Sequence, residues 1–525
     1  MTVAYYYTVS AQTQFMNQYK KRSEKNDASY MREDVWNVLP IYQKIRHCLG
    51  GQEVIKSFTL HYLPMPNAND NSVDAKKRYE VYLKKAIYCN FPAQTIAGLE
   101  GQCYIYEPDS WTAPILSKTV ECIDGESNLI QFSKKVLNQI LSFARGGLYT
   151  DFPTIGREIT LGDKMNGLVK PVTVLYQPEQ IINHDFYENN GNRKLSIVSL
   201  FEIYNETPEH FKPTMNDRHR VLRMKNGILQ IEIHKKNANG DYVLFGKPII
   251  PMVNKVPFTS IEEVFTFLGS SENSPKIQVP QISAICDLTL GHYINYADYE
   301  SSCAAVGQPT LVVNGLTEAW YNKIIKPEGG VKTGAGAVIK LEVGSDAKYL
   351  QVAPNTMPFE AMSKKESQII SLGGKMIQPS NVVKTATEST MDKSEESSIL
   401  TSTSSNVSSG IEKHLKLSHY MLTGDKDSEE YKKTKFKIRT ESALMNLTSV
   451  EQTALVASWN AGIISDKETR EQFFRAGIAF ESDFKPKKVV APKLGTAMTK
   501  TKTPGKEANG TVNKATGKGL VGNKV

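Results

Sequence analysis

Residues 281–305 form a stretch that contains acidic residues but no lysine or arginine. Its three acids are Asp287, Asp298 and Glu300. It follows Pro280, which suits a first helical turn, and its apolar side chains recur at roughly helical spacing. It ends at residues 307–309, Gly-Gln-Pro, before an apolar run. Such a polar helix is consistent with an active site, a subunit contact or an ordinary solvated face.

Motifs that would favour an active site are absent from the sequence. There is no phosphate-binding GxxxxGKS or GxxxxGKT, no GxSxG and no HExxH. The glycine-rich run VKTGAGAVIK is typical of a turn. The acids Asp392, Glu395 and Glu396 are typical of a solvated helix face. His414 and His419 lack an acid at a metal-ligand spacing. The sequence therefore favours a protein that is not an enzyme, with no catalytic residue, no cofactor and no metal.

The positive charge is concentrated at the C-terminus. The whole chain has a net charge of +8, and residues 485–525 carry ten lysines and one acid, so residues 1–484 carry −1. This segment has few large apolar residues, which predicts disorder. It is either a solubilising terminus or a salt-sensitive contact with nucleic acid or an acidic partner. Its first six lysines are Lys485, Lys487, Lys488, Lys493, Lys500 and Lys502.

The apolar and cysteine patterns predict a protein of a cytoplasm-like compartment. No apolar run reaches the ~18 residues that span a bilayer, and the first residues lack the basic-then-apolar order of a secretory signal. The six cysteines never form CxxC. We expect them to be buried small hydrophobic residues and not a disulfide framework.

The first half of the chain shows helical spacing and then a change to alternation. One helix is predicted after Asp74 with a break near Pro92, and a second from Leu129 to Gly146-Gly147. Between residues 165 and 260 the period becomes two, and Asn226-Gly227 is typical of a hairpin turn. These patterns predict an antiparallel β region between two helical regions.

The second half is predicted to be mainly helical. A β-rich insert covers about residues 309–353, and a short helix follows from Pro358 to Leu372. The serine-rich residues 391–422 are either a flexible linker or a long helix. Apolar side chains recurring about every 3.6 residues favour the helix. Residues 436–480 also have a helical pattern.

Five sequence blocks occur in an order that resembles bacteriophage portal proteins, specifically a portal group once described as a domain of unknown function. The blocks are RYEVYLKKAIYCNFPAQTIAGLEG; FSKKVLNQILSFARGGLYTDFP; VTVLYQPEQIINHDFY with LSIVSLFE; KVPF with PQISAICDLTLGHYINYADYESSCAAVGQPTLVVNGL; and ISLGGKMIQPSNVVKTATES. They cover about residues 74–425. The sequence departs from the group where arginines are replaced, for example by Ile294.

The resemblance implies an α+β portal fold with a mixed wing, a helical stem, a β-rich clip and a helical crown. Carried over, the segments are as follows: 1–73 an N-terminal arm, 74–279 the wing, 280–308 the first stem helix, 309–356 the clip, 357–373 the second stem helix, 374–388 a channel loop, 389–435 the long wing helix and its return, 436–484 the crown, and 485–525 the basic tail.

The resemblance also implies a function, which is a ring, typically of twelve subunits, at one capsid vertex of the virion. Double-stranded DNA is packaged and ejected through such a ring, which assembles in the host bacterial cytoplasm. The implied partners are the DNA, the terminase large subunit, head–tail adaptor and tail proteins, the major capsid protein and a scaffold protein where there is one, but no membrane.

Three sets of residues carry the expected contacts. The stem acids Asp287, Asp298 and Glu300 would form one acidic face that repels phosphates. The channel loop would meet DNA weakly through Lys375, Gln378, Ser380, Asn381 and Lys384. The clip would contact neighbours through Trp320, Tyr321, Lys323 and Lys326, although Trp320 is equally consistent with a contact inside its own subunit.

Two other hypotheses stay open. One is a metal-dependent enzyme of a phage or mobile element that acts on nucleic acid, using acids brought together by folding. The other is a monomeric binding module whose basic tail supplies its affinity for nucleic acid.

Overall fold

The chain folds into a mixed α and β structure, which confirms the α+β class. This computed structural model describes residues 22–70, 72–153, 160–189, 191–307, 310–327, 340–350, 355–373, 386–439 and 449–460, with Ser465 and Thr469. Residues 374–385 of the predicted channel loop and the basic tail lie outside these residues, whereas residues 386–388 of that loop are helical. No helix in these ranges is both long enough and apolar enough to span a membrane.

The described α-helices follow one another along the chain. They are α1 Glu33–Leu49, α2 Gln52–Ser57, α3 Val73–Lys85, α4 Phe91–Cys103, α5 Ser117–Glu121, α6 Leu129–Phe143, α7 Leu161–Met165, α8 Ile282–Gly307, α9 Glu318–Trp320, α10 Met357–Ser371, α11 Ala386–Thr423, α12 Glu429–Lys433 and α13 Ser449–Asn460.

The described strands form five antiparallel sheets. They are β1 Asp109–Trp111, β2 Arg145–Asp151, β3 Val172–Tyr176, β4 Ile181–Asn189, β5 Asn192–Asn205, β6 Met215–Lys225, β7 Ile228–Lys236, β8 Tyr242–Leu244, β9 Met252–Val253, β10 Val256–Pro257, β11 Phe265–Gly269, β12 Thr310–Asn314, β13 Asp346–Leu350 and β14 Lys435–Lys437. The sheet orders are β4-β5-β6-β7-β8, β11-β2-β3, β12-β13, β10-β9 and β1-β14.

The predicted hairpin at Asn226-Gly227 is confirmed. Both residues have positive φ, 55° and 73°, and Lys225 pairs with Ile228 across the turn. Positive φ at both central positions is the geometry whose twist matches that of the flanking strands, and Asn-Gly adopts it at low cost. The turn joins β6 to β7 in the five-stranded sheet.

Helix α6 begins as predicted but ends earlier. The side chain of Asn128 accepts from the backbone N–H of Gln131, which satisfies one of the free donors of the first turn. The helix ends at Phe143, where Ala144 adopts φ 52°. Gly146-Gly147 was expected to terminate the helix but lies in β2. A Cβ at Gly147 would sit 2.5 Å from Cζ of Phe265, so this glycine allows β11 to pack closely.

The break predicted near Pro92 is confirmed, and the cap predicted at Asp74 is wrong. Helix α3 ends at Lys85 and α4 starts at Phe91, with Pro92 in its first turn. The hydroxyl of Ser72, and not Asp74, accepts from the N–H of Ala75. The cap is therefore two residues earlier, and Asp74 lies inside the first turn, where its charge still favours the helix.

Helix α1 belongs to the core, although residues 1–73 were expected to form an arm. Val35, Tyr42 and Ile45 are fully buried and share one cluster with residues of α8. Full burial of a large apolar side chain stabilises by about 1.5–3 kcal/mol. The segment from residue 33 onward is therefore part of the folded body.

The serine-rich segment is helical, as the apolar period predicted. Helix α11 runs to Thr423, and Val407, Ile411 and Leu415 are buried against α6 and the β2–β11 sheet. Several of its hydroxyls bond to carbonyls of the helix itself. Ser408 Oγ donates to the carbonyl of Ser404 at 2.6 Å and accepts from the backbone N–H of Ile438 at 2.9 Å. Bonding to the carbonyl one turn earlier is how serine side chains satisfy their hydroxyls inside a helix.

The start of the predicted helical crown is a strand. Phe436 is 2% exposed and lies in β14, opposite Ser110 of β1. Its place is decided by a partner strand far away in sequence, which helical periodicity does not reveal. Within residues 436–484 the structure describes one helix, α13.

Candidate functional site

Helices α8 and α10 form an antiparallel pair. Nε2 of His292 lies 3.0 Å from Oε1 of Glu366, and Nζ of Lys365 donates to Oδ1 of Asn295 at 3.2 Å. Further along α8, the ring of Tyr299 lies 6.0 Å from that of Phe359, which is near the start of α10. Because later residues of α8 meet earlier residues of α10, the two helices run in opposite directions.

A glycine lets the two helices approach each other. A Cβ at Gly291 would lie 2.9 Å from Cε of Lys365, so any larger residue would displace the lysine side chain. That lysine bonds to Asn295, one turn away on α8. Gly291 therefore helps position the polar contacts between α8 and α10.

The first half of α8 is anchored and the second half is not. Ile282, Ile285, Cys286, Thr289, His292, Tyr293 and Ala297 are buried. They pack mainly among residues of α1, α3 and α4. From residue 298 to residue 307 every position is exposed or half-buried. The helix pair thus has its base in the body of the protein and its far end more open.

The three stem acids do not share one face of α8. Nζ of Lys44 on α1 lies 2.6 Å from Oδ1 of Asp287. The hydroxyl of Tyr82 on α3 donates to Oδ1 of Asp298 at 2.7 Å. At about 100° per residue, Glu300 is turned roughly 200° from Asp298. The expectation of a single acidic face is therefore corrected: two of the acids contact helices of their own chain, and one of those is paired with a cation.

Two of these acids raise the pKa of the tyrosine hydroxyls that they contact. Burial and the neighbouring Asp298 carboxylate raise the pKa of Tyr82 far above its usual range. Burial, followed by the charge of Glu300, raises the pKa of Tyr296. Both phenols stay protonated and act as hydrogen-bond donors. The first bond attaches α8 to α3, and the second links two residues one turn apart on α8.

The segment between α8 and α10 contains an isolated two-stranded ribbon. In it β12 pairs with β13, from Thr310 opposite Leu350 to Asn314 opposite Asp346. Tyr349 and Leu350 are 54% and 63% exposed. No other described strand pairs with either edge. A two-stranded ribbon of this kind is marginally stable by itself.

The predicted clip residues lie beside this ribbon. Nε1 of Trp320 donates to the carbonyl of Lys340 at 3.5 Å, and the side chain is half-buried. Trp320 therefore contacts its own subunit, which was one of its two expected roles. Tyr321, Lys323 and Lys326 are exposed. The structure thus leaves these three side chains open to solvent.

The remaining predicted site residues are outside the described ranges. The channel-loop residues Lys375, Gln378, Ser380, Asn381 and Lys384 follow α10 and precede α11. Lys485, Lys487, Lys488, Lys493, Lys500 and Lys502 follow the last described residue. Their roles stay predictions.

Cysteine placement differs in part from expectation. Cys48, Cys103 and Cys286 are buried, Cys89 and Cys122 are half-buried, and Cys303 is exposed. The buried-hydrophobe interpretation thus fits the first three and is wrong for Cys303. All six are free thiols in the structure. Among the described residues, no group of three or more His, Cys, Asp or Glu side chains is arranged to hold a metal.

A polar cavity of about 590 Å³ lies beside α6 and β3 and is separate from every predicted site residue. Two of its basic lining residues, Arg46 and Lys135, are paired within the chain. Nη2 of Arg46 donates to Oε2 of Glu179 at 2.7 Å, and Nζ of Lys135 to Oδ2 of Asp124 at 3.0 Å. These paired charges stabilise the wall of the cavity.

Comparison with known families gives one match. Residues 282–421 match the family described as Domain of unknown function (DUF4055). The match begins at the first residue of α8 and ends two residues before the end of α11. It therefore covers the helix pair, the ribbon and most of the long helix, about a quarter of the chain. No curated protein matches.

The contacts of the stem acids were not found by sequence reasoning. Lys44 and Tyr82 are more than 200 residues from their partners. The first lies in α1 and the second in α3, and both helices are amphipathic. The only available signal was the helical spacing of Tyr79, Tyr82 and Leu83, which marks a packed face but does not identify its partner.

Proposed function

We propose that this protein is a phage portal subunit, which assembles into a ring at one capsid vertex and conducts double-stranded DNA. The observation that carries the proposal is the antiparallel pair α8–α10, anchored at its base and interrupted by a small β ribbon. The long helix α11 is the next described element along the chain. This order of elements corresponds to stem, clip, stem and wing helix, the order that the sequence resemblance implies.

The ribbon supports an oligomer because no other described strand of the chain pairs with it. An outer edge of this kind can accept a strand from a neighbour, and Tyr349 and Leu350 expose apolar surface. A neighbouring copy at the same height in a ring would cover both. The exposed Tyr321 beside it has the aromatic character favoured at protein contacts.

The charge of the first stem helix supports a conduit over a DNA-gripping surface. Residues 281–305 have no lysine or arginine, and Asp287 is balanced by Lys44. Asp298 and Glu300 remain as acids without a cation described at salt-bridge distance. Repetition of these carboxylates around a ring would multiply a weak repulsion of phosphates, which lets a polyanion pass without being held.

The proposed partners follow from this role. DNA passes through the ring, the terminase large subunit docks during packaging, and adaptor and tail proteins replace it. The wing faces the major capsid protein and any scaffold. The proposed DNA contacts lie in the channel loop between α10 and α11. No residue is proposed to be catalytic.

Assembly mass and particle shape test the proposal. Each chain has a mass of 58.6 kDa, so a twelve-membered ring has a mass of about 700 kDa. Mass photometry of the purified protein is expected to show a discrete species of ring size, and negative-stain images an annulus with a central hole. Monomers alone, at micromolar concentration and across a range of salt, would overturn the proposal.

A further inference from the structure

The outer edge of the five-stranded sheet is an exposed apolar strip. Every residue from Val243 to Ile250 is exposed. Five of these eight residues carry large apolar side chains, and they are Val243, Leu244, Phe245, Ile249 and Ile250. We call residues 242–250 the β8 edge. An exposed apolar edge of this kind is a template for an added strand.

The backbone of the β8 edge has a donor available for strand addition. The N–H of Phe245 donates to the carbonyl of Ile233 at 2.7 Å, so the backbone N–H of Phe245 points toward β7. Donors alternate along an antiparallel strand, so the N–H groups of Tyr242 and Leu244 face the open side. The carboxylate of Asp27 accepts from the N–H of Tyr242. The N-terminal part of the chain therefore already occupies the beginning of this open side.

A second contact, made by Lys25, also attaches the N-terminal part of the chain to the start of the β8 edge. Nζ of Lys25 lies 2.6 Å from Oδ1 of Asp241, directly before β8. Residues 1–21 precede the first described residue, Arg22, which lies three positions before Lys25. Extended, they would reach up to about 70 Å, at roughly 3.3 Å per residue. The β8 edge is nine residues long, so the reach is more than sufficient.

The composition of the preceding segment suits this edge. Residues 3–9 read VAYYYTV, and aromatic and β-branched residues favour strands. Residues 1–19 contain no Asp, Glu, Lys or Arg. They would add no like charge beside Lys235 and Lys247. By contrast, two copies of this chain joined through their β8 edges would bring the lysines of both together.

We propose that residues 3–9 of the same chain add a strand to the β8 edge and cover its apolar side chains. The two observations that carry this are the uncovered edge and the anchoring of Lys25 and Asp27 on it. The proposal is independent of ring formation, because it concerns a contact within one chain. Its occupant is the N-terminal segment, and a neighbouring copy is the competing occupant.

Hydrogen–deuterium exchange of the full chain and of a chain lacking residues 2–21 tests the contact. Peptides covering residues 243–250 are expected to exchange about tenfold faster after the deletion, because their covering strand is gone. Residues 346–350, which form the largely exposed strand β13, serve as the internal control and are expected to be unchanged. Equal exchange at residues 243–250 in both proteins would overturn the proposal.

A point variant repeats the test without shortening the chain. Tyr6→Pro removes a ladder donor inside residues 3–9 and is expected to reproduce the deletion. Thr13→Pro, outside that run, is the matched control and is expected to leave exchange unchanged. Identical behaviour of the two variants would contradict assignment of the strand to residues 3–9.

Engineered disulfides separate the same chain from a neighbour. Cysteines placed singly at Tyr5, Tyr6 and Tyr7 would be paired with Leu244→Cys, in a background in which the exposed Cys303 is changed to serine. At least one pair is expected to oxidise within a single chain, which runs at monomer mass on a denaturing gel. Crosslinks only between chains, or none at all, would reject the same-chain contact.

Discussion

The hydroxyl of Tyr82 donates a 2.7 Å hydrogen bond to the carboxylate of Asp298 and so joins α3 to α8 across 216 residues of sequence. The tyrosine is 8% exposed, whereas the acid is exposed. The bond lies near the end of the anchored part of α8. It therefore helps set where the helix leaves the body of the protein.

Removal of this hydroxyl is expected to weaken the attachment of α8. Tyr82→Phe keeps the packing and loses a hydrogen bond to a charged acceptor, at a cost of about 1–2 kcal/mol in the free energy of unfolding. Denaturant unfolding of Tyr82→Phe, Asp298→Asn and the double variant measures the coupling. The same change in all three would support the bond. Additive effects would show that the two side chains act independently.

A close approach of α11 to β11 provides a second prediction. A Cβ at Gly410 would lie 2.5 Å from Cδ2 of Leu268, a side chain that is itself buried. Gly410→Ala is therefore expected to destabilise by about 1–3 kcal/mol through overpacking.

Gly101→Ala is the matched control for this substitution. A Cβ at Gly101, in α4, would meet nothing within 4 Å, and alanine favours the helix by up to about 1 kcal/mol. Thermal unfolding should lower the midpoint for Gly410→Ala and leave it unchanged or higher for Gly101→Ala. Equal midpoints would mean that the α11 contact adjusts without strain.

Buried histidines make stability depend on pH. Burial lowers the pKa of His184, His219 and His414 from 6.5 to about 3 in the folded state. Because the unfolded chain binds these protons first, stability is complete above pH 6.5 and is lost as the pH falls toward 3. At pH 5 each histidine costs about 2 kcal/mol relative to neutral pH.

His414→Gln isolates one of these contributions. His414 bonds to Thr150 at 2.7 Å and to Thr266 at 3.1 Å, and an amide can replace both bonds without titrating. The variant is expected to lose less stability than the parent between pH 7 and pH 5, by about 2 kcal/mol. The exposed His210→Gln is the control and should keep the parental slope. A parental slope for His414→Gln would contradict the assignment.

The ribbon variants test the proposed ring. Tyr349→Asp and Leu350→Asp place charge on the exposed side of β13 and are expected to reduce the ring fraction at least about tenfold, which is 1.4 kcal/mol or more per contact. Leu168→Asp changes an equally exposed apolar residue outside the ribbon and should leave the ring fraction unchanged. Mass photometry gives the readout. Unchanged rings in all three variants would remove the ribbon from the interface.

The sequence by itself determined the elements whose signals are local. The buried stripe of α6, the Asn226-Gly227 turn, the long helix α11 and the helix–ribbon–helix order of residues 282–371 all follow from spacing, caps and turn residues. These features depend on neighbours within a few positions, so periodicity and residue type suffice to predict them.

Only the tertiary structure decided which elements meet. Lys44 with Asp287, Tyr82 with Asp298, and Phe436 opposite Ser110 all join positions more than 200 residues apart. The role of Gly147 as a close contact under Phe265, and not as a helix stop, has the same origin. A single sequence shows which face of an element is apolar, but the partner of that face is chosen by the shape and charge of the whole folded chain.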